Sequence, residues 1–154
     1  KATKQFRQHI ESMKGSLPKG YYEMYLSAVY TYEFKLGAFK NAFAILRYAN
    51  RAVELNSNDP MILGHMGNVF FYEPRGIGDK KKALQYFEKA STLLESTPWR
   101  YSWYRPAMRL SVAQCYEKTG RKNEALSIAN DLLHEFPNFT YLRHTYMPAL
   151  HNAK

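Results

Sequence analysis

The sequence predicts an all-α fold of stacked antiparallel helical hairpins, and three observations support this prediction. First, small and apolar residues recur at i, i+4 and i+7, which places them on one face of a helix. This spacing occurs in Ala83-Phe87-Ala90 and again in Ala125-Ala129-Leu132. Second, Ala113, Ala125 and Pro137 follow one another at intervals of twelve residues. Third, the period-two alternation that is typical of half-buried strands is absent from the sequence.

Length and composition favour one globular domain over residues 1–154. A chain of 154 residues is long enough to bury a sizeable core, and its 45% hydrophobic content argues against disorder. No apolar run approaches the roughly 20 residues of a membrane-spanning helix. The single cysteine, Cys115, excludes an intramolecular disulfide and lies on an apolar helix face, which predicts a buried, inert thiol.

The net charge of +9 is compatible with an acidic partner, nucleic acid or an anionic membrane surface. The excess positive charge is spread along the chain and forms no basic tail. The chain opens at Lys1 without an initiator Met, so we expect either a removed leader or a trimmed chain.

The first half of the chain predicts four helices, over residues 2–13, 21–34, 39–55 and 61–72. The first is amphipathic, ends in the Gly- and Pro-containing turn 15–20, and is expected to be the second helix of a hairpin whose first helix is missing. Gly37 separates the second helix from the third. The apolar positions expected in the third helix are Phe43, Leu46, Ala49 and Val53. Asp59 and Pro60 are typical of a helix start, as capping residue and first helical residue.

The second half predicts four further helices, after the loop 74–79. Asp79 is expected to cap the helix that ends near Leu94, and residues 99–109 lead into the next helix, which ends near Lys118. Pro106 lies either in the first turn of that helix or at a kink. A tight turn with Gly120 at the C-cap position precedes the helix 122–135. The last helix is predicted from Phe139 to about Met147.

Three segments share a small residue followed three positions later by an aromatic one: Ser27 with Tyr30, Gly67 with Phe70, and Ala113 with Tyr116. This pattern resembles the tetratricopeptide repeat, a helical hairpin of 34 residues. The intervals of 40 and 46 residues here exceed that length, and only residues 106–139 have unbroken repeat spacing. The resemblance implies a right-handed superhelix of about three repeats, with a partial N-terminal helix and a C-terminal capping helix.

The departures from the repeat are similar to those of a group of exported bacterial tetratricopeptide-repeat proteins. Members of that group usually carry a signal sequence and a further helical hairpin before this region. The resemblance implies a periplasmic or cell-surface protein and implies no reaction. The segments that carry it are residues 34–38, 52–60, 74–83, 103–104, 137–139 and 142–150.

Tetratricopeptide repeats bind peptides in a concave groove lined by the first helix of each repeat. The resemblance implies a peptide-groove set that is rich in aromatic and amide side chains and suits an extended peptide with apolar side chains. We therefore expect a noncatalytic protein-interaction module. The alternative is a groove filled by the chain's own terminal helix or by a second copy. The groove candidates are Tyr21, Met24, Thr31, Tyr32, Met61, Asn68, Phe71, Tyr72, Leu110, Gln114 and Lys118.

A different reading is offered by residues 99–109, where cations and aromatic rings interleave as in surfaces that bind single-stranded nucleic acid. The polyanion candidates are Arg100, Trp103, Arg105 and Arg109. Core packing explains the same aromatic residues, so nucleic acid is the disfavoured partner. A third reading is a structural oligomerisation unit. The sequence assembles no nucleophile with a base and an orienting group, so we expect no catalysis, no cofactor and no metal site.

Overall fold

The structure is a computed structural model that describes residues 2–73, 76, 78–96 and 99–152. These residues form helices and turns and contain no strand, which confirms the all-α class. The chain divides into two compact units, Lys1–Asp79 and Lys80–Lys154, and each is described by itself. A single domain over residues 1–154 and a tetratricopeptide-like superhelix stay predictions. The loop predicted over residues 74–79 lies partly outside the described residues.

The helices of unit 1 are α1 (Ala2–Met13), α2 (Tyr21–Lys35), α3 (Ala42–Leu55) and α4 (Pro60–Tyr72). They pack in sequence, α1 on α2, α2 on α3 and α3 on α4, and α2 also contacts α4. The predicted boundaries are close to those observed, except that a 3₁₀ turn, Phe39–Asn41, precedes the third helix.

The buried face of α3 agrees with the prediction at Ala49 and differs from it at Phe43. Its buried residues are Ile45, Ala49 and Ala52, whereas Phe43, expected in the core, is exposed. These three residues repeat the i, i+4, i+7 spacing seen twice in the second half of the chain. Small side chains at two of the three positions allow α3 to approach α2 closely. The prediction for Phe43 was wrong because it took a large apolar residue as a core position, whereas small residues pack on this face.

A chain of polar contacts links three helices of unit 1. The Ser27 hydroxyl on α2 is fully buried and donates to the carbonyl oxygen of Ile45 on α3 at 3.0 Å. Nε2 of His65 on α4 lies 2.9 Å from the same hydroxyl oxygen. Because the Ser27 proton is used on Ile45, Nε2 of His65 must be the donor. Burial lowers the pKa of His65 to about 4, so the imidazole is neutral near pH 7 and its one proton is on Nε2.

The start of α4 confirms the predicted capping. Asp59 accepts hydrogen bonds from the backbone N–H groups of Met61 and Ile62, at 2.8 and 3.2 Å, and Pro60 occupies the first turn. These two bonds satisfy amides that have no partner within the helix, a contribution of about 1 kcal/mol.

The helices of unit 2 are α5 (Lys80–Leu94), α6 (Tyr104–Lys118), α7 (Lys122–Glu135) and α8 (Met147–Asn152). Helix α6 packs between α5 and α7. The residues predicted to form the packing faces of α5 and α7 are all buried: Ala83, Phe87, Ala90, Ala125, Ala129 and Leu132. Each large apolar side chain among them stabilises the unit by roughly 1.5–3 kcal/mol relative to exposure.

Both ends of α6 are explained by sequence. Pro106 lies in the first turn, which settles the choice that the sequence left open. At the other end the N–H of Gly120 donates to Glu117 and the N–H of Arg121 donates to Tyr116. With a φ of 80° at Gly120, this is a Schellman motif, as the predicted tight turn requires.

The C-terminal segment is helical beyond the predicted end near Met147. A π-helical turn, Leu142–Tyr146, leads into α8. The N–H of Met147 donates to the carbonyl of Leu142, and the next residue, Pro148, has no N–H to continue the α-helical ladder. Leu142, Tyr146, Met147 and Leu150 pack with α7 residues in the core of unit 2.

Cys115 on α6 is fully buried, as predicted. Burial raises the pKa of its thiol to about 12. The thiolate, which is the reactive form, is therefore scarce at neutral pH.

Candidate functional site

Part of the predicted peptide groove in unit 1 belongs to the core. Met24 and Met61 pack with Ala52 and Ile62, and Met24 is buried. The hydroxyl of Tyr21 donates to the Asp59 carboxylate at 3.2 Å. These three candidates therefore hold α2, α3 and α4 together, whatever else they contact.

Other candidates in unit 1 remain at the surface. Tyr32 on α2 is 55% exposed and Tyr72 on α4 is 59% exposed, and Asn68 is also exposed. Thr31 is half-buried, whereas Phe71 is buried and packs edge-on against Tyr72, with ring centroids 4.8 Å apart. Since α2 contacts α4, two neighbouring helices carry exposed aromatic and amide groups.

Tyr32 also lies at a hollow of about 310 Å³ between α1 and α2. The hollow is mostly apolar, with Phe6 and Val29 among its walls. Its volume is at the lower end of the range for small-ligand sites and would accept one or two apolar side chains.

The unit 2 groove candidates are divided in the same way. Leu110 is buried in the core, and Gln114 is half-buried. Lys118 is exposed, with its ammonium 3.2 Å from the Glu117 carboxylate. Of the three, Lys118 and Gln114 keep polar groups at the surface of α6.

The polyanion candidates Arg105 and Arg109 form ion pairs in unit 2. Arg105 binds the carboxylates of Glu95 and Glu135, and Arg109 donates to Glu135 at 2.7 Å. Hydrogen bonding to Arg105 is the main cause of the lowered pKa of Glu135. Arg105 lies at the N-terminus of α6 and Glu135 at the C-terminus of α7, where each charge by itself is unfavourable to its helix dipole. The ion pair neutralises both charges. Most of the positive charge of this pair of arginines is compensated within the unit.

Arg100 and Trp103, the other polyanion candidates, are exposed. Trp103 borders a cleft of about 630 Å³ between the start of α6 and the residues that follow α7. Phe136 and Phe139 also line it, together with Pro106 and Pro137. Neither phenylalanine is among the residues predicted for a site, although their position on either side of Pro137 was a usable signal. The cleft is apolar and suits a flat apolar group better than a phosphate.

No three side chains of His, Cys, Asp and Glu come together as a metal-ion site among residues 2–73, 76, 78–96 and 99–152. No helix of the described chain is both long and apolar enough to span a bilayer. His65 and Cys115, whose pKa values are both shifted by burial, lie in different units, so they do not form one site.

The resemblance to tetratricopeptide repeats stays a prediction after comparison with known proteins. No protein-family model, no curated protein and no solved structure matches this chain.

Proposed function

We propose that the protein is a noncatalytic interaction module of tetratricopeptide type that binds an extended peptide with apolar side chains. The observation that carries this proposal is the exposure of Tyr32, Asn68 and Tyr72 on α2 and α4, two helices that contact each other. Buried neighbours such as Met24 fix the helices, so these side chains project from a rigid surface. Rigid aromatic groups are frequent anchors in binding surfaces because little entropy is lost on binding.

The proposed contacts divide between two kinds of group. The rings of Tyr32 and Tyr72 would cover apolar side chains of the peptide, one of which would enter the hollow beside Tyr32. The Asn68 amide both donates and accepts hydrogen bonds, so it suits the peptide backbone. The polyanion alternative is weakened by the ion pairs of Arg105 and Arg109, which leave fewer uncompensated cations for phosphates.

The test is selection of peptides from a displayed random library, followed by calorimetric titration of a selected peptide. We expect the double variant Tyr32→Ala, Tyr72→Ala to weaken binding at least tenfold, since each anchor residue contributes roughly 1 kcal/mol or more. The matched control is Tyr101→Ala, Tyr141→Ala, which removes two exposed tyrosines from unit 2. This control should bind normally, and circular dichroism should be unchanged in both.

The dependence of affinity on salt concentration distinguishes peptide binding in the groove from polyanion binding. Affinity for the groove should change little between about 0.1 and 0.5 M salt, whereas polyanion binding falls steeply because counterions are released. Steep salt dependence that is lost in Arg100→Gln would favour the polyanion reading. Self-association without any selected peptide would favour an oligomerisation unit.

A further inference from the structure

Three large apolar side chains stand exposed around the turn between α2 and α3. Leu36 is 70% exposed, Phe39 is 72% exposed and Phe43 is 88% exposed. They lie within eight residues of one another along the chain. Single exposed apolar residues are ordinary, but a cluster of three on one turn indicates an interaction surface.

The turn holds these side chains outward through a defined backbone. The N–H groups of Gly37 and Ala38 donate to Phe34 and Glu33, at 2.9 and 3.0 Å, which closes α2 in a Schellman motif. The side-chain amide of Asn41 donates to Glu33 at 2.8 Å. The rings of Phe34 and Phe39 meet edge to face, with centroids 5.5 Å apart. Exposure of the cluster is thus a property of the folded turn.

Positive charge surrounds the cluster. Lys35, Lys40 and Arg47 are all exposed, and Arg47 shares a helical face with Phe43 at the i, i+4 spacing. Residues 34–47 contain no Asp or Glu. Glu33, just before them, is already bound by Arg7 at 3.1 Å. The turn therefore combines protruding apolar groups with three cations and no carboxylate of its own.

From this combination we propose that the α2–α3 turn docks on an anionic lipid bilayer. Leu36, Phe39 and Phe43 would enter the boundary between headgroups and acyl chains, and the three cations would contact anionic headgroups. A bilayer accepts protruding apolar side chains without a complementary pocket, and its surface potential attracts flanking Lys and Arg. This peripheral docking uses none of Tyr32, Asn68 and Tyr72, although Leu36 follows Tyr32 by one helical turn and its N–H donates to the Tyr32 carbonyl.

The apolar part of the proposal is tested by flotation with vesicles of phosphatidylcholine alone or with one fifth phosphatidylserine. We expect binding to the mixed vesicles, weaker binding to the neutral ones, and at least a tenfold loss in Phe39→Ser, Phe43→Ser. The matched control Tyr101→Ser, Tyr141→Ser should float like the unaltered protein. Both double variants should keep their circular dichroism, and Phe39→Ser, Phe43→Ser should lower the thermal midpoint only slightly, because it removes the ring contact between Phe39 and Phe34 and no buried side chain.

The charge contribution is tested by Lys35→Gln, Lys40→Gln, Arg47→Gln. Each cation near an anionic surface gives roughly fivefold in affinity, so the triple variant should bind about a hundredfold more weakly. The control Lys4→Gln, Lys19→Gln, Arg143→Gln changes the net charge equally at other exposed positions and should lose far less. Equal losses of affinity in the two triple variants would overturn docking by this turn and would favour attraction by the overall charge of the protein.

Two other outcomes would also overturn the proposal. One is an absence of flotation with mixed vesicles at millimolar lipid. The other is self-association that sedimentation detects without lipid and that Phe39→Ser, Phe43→Ser abolishes, since this would identify a second copy of the chain as the occupant.

Discussion

His65 shows how one side chain can make the stability of unit 1 depend on pH. It donates to Ser27, which donates to Ile45, so the neutral imidazole completes a chain of contacts across α2, α3 and α4. Charging the ring would place a cation in a site that offers it no carboxylate among these contacts. The sequence could not predict this, because nothing in the spacing of five scattered histidines indicates which one faces a buried serine.

We expect unit 1 to lose stability as the pH falls from about 6.5 towards 4. The pKa of His65 is about 4 when folded and about 6.5 when unfolded, so the unfolded chain binds the additional proton in this range. The loss approaches about 3 kcal/mol once the pH is below the folded pKa. The measurement is the free energy of urea unfolding at several pH values, for the protein and for His65→Gln.

His65→Gln keeps a donor for Ser27 and removes the titratable group, so its stability should change less over the same range. Burial raises the pKa of Glu73, which contributes with the opposite sign, but this contribution is common to both proteins. Parallel pH curves for the two would rule out His65 as the source.

At the scale of elements, the sequence predicted helices well where breakers and caps stand at their ends. Gly120 and Pro137 indicated the start and the end of α7, and Asp59 and Pro60 indicated the start of α4. The start of α3 and the π-helical turn were not predicted, because 3₁₀ and π geometry have weak local signals. The core face of α3 was also predicted only in part. The small residues Ala49 and Ala52 are buried there, whereas the larger Phe43, which was expected in the core, is exposed.

The turn between α1 and α2 depends on a glycine. Gly20 has a φ of 89°, and an added Cβ would lie 2.8 Å from Cδ1 of Ile62 and 2.9 Å from the Ala52 carbonyl oxygen. Gly37 has a φ of 101° with nothing within 4 Å of such a Cβ. The two positions share the backbone strain and differ in the steric contact.

We therefore expect Gly37→Ala to cost roughly 1–2 kcal/mol of unfolding free energy, the usual penalty for a left-handed conformation. Gly20→Ala should cost clearly more, because the Ala52 backbone cannot move aside as a side chain can. Urea titrations of both variants measure the difference. Equal costs would mean that α4 and α3 relax around the added methyl group.

At the scale of the whole molecule, the all-α class was predictable because small residues at helical spacing recur along the chain. The residues of the proposed binding surface were less predictable from the sequence. Repeat positions alone cannot distinguish Tyr32, which is exposed, from Met24 or Leu110, which are buried, because the side-chain environment depends on neighbouring helices. The ion pairs of Arg105 with Glu95 and Glu135 join residues that are 10 and 30 positions apart in sequence. The sequence could not predict that these charges compensate one another, because the pairing depends on how the helices pack.

The buried thiol of Cys115 gives a measurement of unit 2 in the intact protein. We expect a maleimide to modify the folded protein far more slowly than a free cysteine peptide, since the thiol must first become accessible. Leu132→Ala, a core truncation that costs roughly 2–5 kcal/mol, should accelerate labelling. Leu36→Ala, the same change at an exposed position, should leave the rate unaltered, and equal acceleration in both would show that Cys115 reacts without opening of the core.

With one cysteine in the chain, each alkylated molecule is a molecule that has opened around α6 at least once. The mass of the intact protein after a timed pulse of reagent therefore gives the fraction of molecules that opened during the pulse. The native cysteine thus reports the rate at which unit 2 opens around α6, with no labelling site introduced by mutation.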